Sequence, residues 1–121
     1  MRKPQVYVAG PFRVPSESLN TRRATVTGQH LRDNLGIVVC IPHLSLLEDM
    51  IRHRDPDYWL ETTLDQMRCC DAVYRIAGYS TGSDGEVAEA HRLGIPVFYT
   101  IADLSAWVQK WKEEHESSRT N

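Results

Sequence analysis

Short runs of β-branched and aromatic residues alternate along this chain with longer stretches whose apolar positions recur every three or four residues. Gln5-Val6-Tyr7-Val8-Ala9, closed by Gly10-Pro11, predicts a buried first strand. Residues 12–20, with Pro15, two serines and Asn20, predict a loop. Residues 20–35 then predict a helix with Ala24, Leu31 and Leu35 inward, stopped by Gly36. Ile37-Val38-Val39-Cys40-Ile41 is a second strand, ended by Pro42. Residues 44–52 predict a short helix; Asp55-Pro56-Asp57 interrupts it, and a helix restarts near Tyr58 with Leu60, Leu64 and Met67 on one face. Residues 71–76 predict a third strand, residues 78–85 a polar glycine-rich loop, and residues 84–93 a helix ended by Gly94. Residues 95–99 predict a fourth strand, and residues 105–116 a last amphipathic helix with Trp107 and Trp111 on one face. The tail, residues 117–121, is expected to fray.

Strands alternating with helices predict a parallel sheet with right-handed crossovers. The expected architecture is one α/β domain over residues 1–121, a Rossmann-like (flavodoxin-like) parallel sheet of about four to five strands with flanking helices. Such sheets bind ligands outside the carboxyl ends of their strands. Residues 10–16 and 78–86 are the loops of unusual composition expected there.

Composition narrows the function classes. A net charge of −2, with Arg22, Arg23, Arg52 and Arg54 forming no continuous basic run, argues against a nucleic-acid polymer as partner. No apolar run approaches the ~20 residues that span a bilayer, and the short apolar run after Met1-Arg2-Lys3-Pro4 does not suit a signal peptide. Cys40, Cys69 and Cys70 are odd in number and contain no CxxC, so they are expected to be reduced thiols of a cytoplasmic protein. No ligand cluster implies a metal or redox cofactor.

The chemistry concentrates in Ser80-Thr81-Gly82-Ser83-Asp84-Gly85-Glu86. Hydroxyls, glycines and a helix start favour an anion, since free amides point at it and glycine lets backbone approach. The same residues read equally as a capping box, with Ser83 the cap and Glu86 reaching back. A glutamate near a helix N-terminus is expected to have a lowered pKa, which suits a nucleophile. In the first loop, Gly10-Pro11-Phe12-Arg13, the arginine is either a bidentate anion clamp or a surface residue. Tyr7 reads as core with its hydroxyl bonded, and His43 as a loop histidine at a strand end that faces the same cleft or serves structure alone.

Taken in order, Tyr7-Val8-Ala9-Gly10-Pro11-Phe12-Arg13, Cys70-Asp71-Ala72-Val73, Ser80-Thr81-Gly82 through Glu86 and Ala90, and Gly94-Ile95-Pro96-Val97 resemble the nucleoside 2-deoxyribosyltransferase-like superfamily. The resemblance implies that Glu86 is the nucleophile on C1′ of the sugar, oriented by Tyr7, with a glycosyl–enzyme ester resolved by a second base or by water. Many members carry a second acid eight residues before the aspartate that opens strand three; that position is Thr63 here, and the nearest acids, Glu61 and Asp65, both point a different way on the helix, with Asp65 the candidate second acid. Ser80 stands where the nucleoside transferases tend to have an aspartate, a likeness to the 2′-deoxynucleoside 5′-monophosphate N-glycosidases. In that branch the serine and glycine hold phosphate, which makes Gly10, Pro11, Phe12, Arg13, Ser80, Gly82 and Ser83 the candidate substrate contacts. The chain is also similar to small bacterial and phage members of uncharacterised reaction.

The expected function is therefore hydrolysis of the N-glycosidic bond of a nucleoside 5′-monophosphate, releasing free base without a cofactor. The alternatives are base exchange between nucleosides, and a nucleotide-binding module without turnover. The family commonly forms dimers or larger homo-oligomers, and Trp107 and Trp111 offer either such a contact or core packing.

Overall fold

A computed structural model describes residues 2–120, the side chains of residues 117–120 excepted. The elements are β1 (Gln5–Ala9), α1 (Glu17–Leu35), β2 (Val38–Cys40), a 3-10 turn (Pro42–Leu44) leading into α2 (Ser45–Ile51), α3 (Pro56–Arg68), β3 (Ala72–Arg75), α4 (Thr81–Arg92), β4 (Val97–Phe98) and α5 (Ile101–Thr120). The four strands are all parallel, in the order β2-β1-β3-β4. This is the flavodoxin-like order, whose topological switch point lies between β1 and β3.

β1 is a continuous apolar run because both of its faces are covered. Val6 and Val8 pack with Ala24 and Leu31 of α1 and with Leu104 and Val108 of α5. Tyr7 and Ala9 point the other way, onto Met67 of α3, Ala90 of α4 and Val73. Trp111 is buried, and Trp107 packs on Phe98 within the first of these clusters, so both tryptophans serve the core. Among the described residues no helix is long and apolar enough to cross a membrane.

Three helices begin earlier than their apolar periodicity predicts, each at a hydroxyl residue. α1 starts at Glu17, not at 20: Ser16 is extended (φ −153°) and its Oγ accepts the Leu19 N–H at 3.3 Å. α4 starts at Thr81, with Ser80 as cap, so the expected Ser83–Glu86 capping box does not form. α5 starts at Ile101 rather than 105, with Thr100 Oγ1 accepting the Asp103 N–H at 3.2 Å. A polar first turn carries no hydrophobic signal, and the cap alone marks the start. α5 is continuous past 116; the fraying expected for 117–121 falls on side chains, and at Asn121 on backbone, outside the described residues.

Gly36 ends α1 with φ +61° and ψ +50°, its N–H bonded to the Arg32 carbonyl at 3.0 Å. A Cβ there would also stand 2.9 Å from Lys112 Nζ, which donates to the Leu35 carbonyl at 2.7 Å. Gly36→Ala is expected to lower the unfolding free energy by about 1–2 kcal/mol, from left-handed strain and a disturbed α5 contact. Urea unfolding at neutral pH measures it.

Candidate active site

The β1 and β3 chains leave their strands side by side, and their loops pack on each other. The Ile76 N–H donates to the Ala9 carbonyl at 2.8 Å. Gly78 has φ +132°, and a Cβ on it would lie 2.9 Å from Pro11 Cγ. Only glycine allows both that backbone and that approach. Between these loops and the α2–α3 segment opens a cavity of about 640 Å³, within the ordinary range for small-molecule sites. Gly10, Pro11, Phe12 and Arg13 line it from the first loop. Ser80, Gly82, Ser83 and Glu86 line it from the second loop and α4.

Tyr7 is fully buried beneath this cavity, and its hydroxyl donates to Glu86 Oε2. Among the described residues none donates to Oε1. Burial pushes the Glu86 carboxyl up from 4.5 to about 7, against the opposing pull of the Tyr7 hydroxyl and the Arg75 charge. The lowered pKa expected from the helix dipole is therefore not found. Glu86 is the sixth residue of α4, beyond the first turn where the dipole acts, so desolvation decides. Burial and the neighbouring carboxylate likewise push the Tyr7 phenol up, which keeps it a donor.

The first loop is held from two sides. Asn20, buried in the first turns of α1, donates from Nδ2 to the Phe12 and Val14 carbonyls at 2.9 and 3.0 Å. His43, buried where the 3-10 turn follows β2, places Nε2 3.2 and 3.0 Å from the Gly10 and Pro11 carbonyls. Burial lowers its pKa, so the neutral ring donates from Nε2. The sequence left His43 between cleft and structure; it lines the cavity and braces the loop at once. Arg13 itself is exposed at the rim. On the second loop, Ser80 Oγ accepts the Ser83 N–H at 3.1 Å. Ser83 is 1% exposed, and its Oγ, like His43 Nδ1, has no partner among the described residues.

α2 and α3 form the remaining wall. Thr63 lines the cavity where the second acid was sought, its Oγ1 donating to the Trp59 carbonyl at 2.9 Å. Asp65, the candidate second acid, does not face the site: it is exposed and paired with Arg68 at 2.5 Å. Two positions along a helix turn a side chain well away from the first. Acids that carried no sequence signal reach the cavity instead: Asp49 and Asp57 on this wall, and Glu17 from α1. Asp49 accepts from the Arg54 N–H at 2.9 Å and the Trp59 Nε1–H at 2.6 Å, which holds its carboxyl down at about 2. It is an anchor for the α2–α3 turn, not a proton donor. Behind the second loop stands the buried Arg75, whose signal was available: an arginine inside a central apolar strand must find partners.

No family model matches the chain, and no curated protein matches it in sequence. Among solved structures, it aligns with a 2-deoxyribosyltransferase of the psychrotolerant bacterium Bacillus psychrosaccharolyticus, described as a biocatalyst for nucleoside synthesis. The TM-score is 0.57 at 24% identity, over 77% of this chain and 69% of the other. This is the fold of a nucleoside 2-deoxyribosyltransferase. In this chain the first and second loops meet at the switch point between β1 and β3, beside the Tyr7–Glu86 pair.

The raised carboxyl makes stability depend on pH. Between about 4.5 and 7 the unfolded chain has lost the Glu86 proton while the folded chain keeps it, so stability falls as pH rises through that window. Glu86→Gln removes this cost. Its stability relative to wild type is expected to increase from pH 5 to pH 8 by on the order of 2 kcal/mol, reduced from the full linkage value because the side chain borders an open cavity. Denaturant unfolding at the two pH values measures the difference.

Proposed function

We propose that this chain is a glycosyl-transfer enzyme acting on the N-glycosidic bond of a 2′-deoxynucleoside, with Glu86 as nucleophile. The observation that carries the reading is the Tyr7–Glu86 pair beneath a cavity at the switch point. Oε1 attacks C1′, the C1′–N bond breaks, and its electron pair leaves with the base, which takes up a proton. The ester formed on Glu86 is resolved when a nitrogen of a second base attacks C1′, the carboxylate departs, and that nitrogen gives up its proton to solvent or to the departed carboxylate. Tyr7 holds Oε2 and so aims the other oxygen. The fold it shares with a 2-deoxyribosyltransferase favours a base as acceptor.

A second reading keeps the same nucleophile and changes substrate and acceptor: hydrolysis of a 2′-deoxynucleoside 5′-monophosphate. Ser80, Gly82 and Ser83 at the start of α4, lining the same cavity as Arg13, favour it. A phosphate there would meet the first-turn amides of α4. Thr63 in place of an acid, with Asp65 turned out, leaves protonation of the leaving base to another group on the cavity wall.

One assay separates the readings. Purified protein is incubated with each deoxynucleoside, with and without a second base, and with each 5′-monophosphate. Exchange that requires the second base is the expected result; base released from monophosphates alone selects hydrolysis. Glu86→Gln is expected to reduce either activity at least about 10³-fold while remaining folded. Wild-type rates in that variant would overturn the covalent role. Below about pH 7 the wild-type rate is expected to decline as Glu86 takes up its proton.

A further inference from the structure

Arg75 has no part in the chemistry described so far. It occupies the last position of β3, on the sheet face of Val73 and Tyr7, with its side chain 8% exposed. Among the described residues it is the only buried one with a permanent charge. Its Nη1 donates to the Ile76 carbonyl. Its Nη2 donates to the Gly78 carbonyl at 2.9 Å and to Asp84 Oδ1 at 3.2 Å. Two of these acceptors precede the Ser80 cap and one follows it, so a single guanidinium spans the turn between β3 and α4. Asp84 is 69% exposed, so water screens it and it compensates little of the buried charge. A buried cation needs more than two neutral carbonyls. The other negative group that feels its field is Glu86.

We propose that Arg75 is a positioning residue for Glu86: it clamps the β3–α4 turn, thereby setting where α4 presents the carboxylate, and its charge favours the anion that attacks. The inference rests on the nucleophilic role proposed for Glu86. The other groups facing that carboxylate do not supply the same effect. Tyr7 on β1 is a neutral donor, His43 is kept neutral by burial, and Cys40 on β2 carries no positive charge in either protonation state. α3 offers Thr63, which is uncharged, while Asp49, Arg54, Asp57, Arg13 and Glu17 line the cavity with no hydrogen bond to Glu86 among the described residues. A surface arginine at the rim is largely screened; a buried one is screened much less.

The test reads Glu86 directly. Its carboxyl carbon is followed by NMR across pH in wild type, Arg75→Met and Arg75→Lys, and the signal is assigned by its loss in Glu86→Gln. Arg75→Met is expected to raise the Glu86 midpoint by about one pH unit and to lower kcat/KM about tenfold below neutrality, with a smaller loss in alkali. Arg75→Lys is expected to hold the midpoint near wild type yet lower kcat, because a compact ammonium lacks the planar fork whose two Nη atoms reach the Ile76 and Gly78 carbonyls separately. An unchanged midpoint in folded Arg75→Met, or a rate loss equal at every pH, overturns the proposal. Should Arg75→Met fail to fold, Arg75→Lys decides: an unchanged kcat overturns the clamp. The titration needs no substrate. A midpoint that moves in Arg75→Met while wild type turns over no nucleoside or monophosphate supports the coupling and overturns the proposed function instead.

Discussion

The hydrogen bond between Tyr7 and Glu86 joins the first strand to the fourth helix, and the rest of the site is arranged around it. Its donor is locked in the core: the Tyr7 ring packs with Met67, Val73 and Ala90 and has no freedom to follow a moving partner. Its acceptor rides on α4, whose start depends on the Ser80 cap and whose approach depends on the β3–α4 turn. Only the crossing of strand order between β1 and β3 brings segments so distant in the chain together. Two opposing effects then meet on one carboxyl. Burial favours the neutral acid, while the phenol and the buried guanidinium favour the anion. The balance falls near neutrality, where a group can be both charged enough to attack and basic enough to be a good nucleophile.

The walls divide the remaining work. The first loop supplies backbone and Arg13, the start of α4 supplies hydroxyls and amides, and α2–α3 supplies an aromatic and acidic side. Asp49 is consumed by its own turn, fixing Trp59 and the Arg54 backbone. The acids that border the cavity thus differ in kind: Glu86 is desolvated and poised, whereas Asp49 is fully committed to hydrogen bonds. That contrast of environments supports the role proposed for Glu86 from the geometry of this site itself.

Much of the fold was legible because its signals are local. β1 reads as buried on both faces from its unbroken apolar run, and Gly36 marks the end of α1 by a conformation few other residues tolerate. The order of the two special loops was enough to bring Glu86, Ser80, Gly82 and Ser83 to one cavity with Gly10 through Arg13. Helix starts were less legible, since Ser16, Ser80 and Thr100 each cap a turn with little hydrophobic content. The protonation of Glu86 was misjudged because its depth is a tertiary property; the helix position alone favours the opposite sign. Asp65 stands only among the nearest acids along the helix, on a face expected to point elsewhere, and it is indeed exposed and paired with Arg68. Asp49 and Asp57 have no distinguishing pattern at all, and only the folded α2–α3 segment brings them to the wall.

The two braces on the first loop have an energetic meaning. Asn20 and His43 grip its carbonyls through contacts made when the chain folds. A loop that stiffened only around its guest would give up mobility at that moment, and affinity would suffer accordingly. Here the freezing happens beforehand and is charged to the fold, so an incoming molecule meets a mould already set.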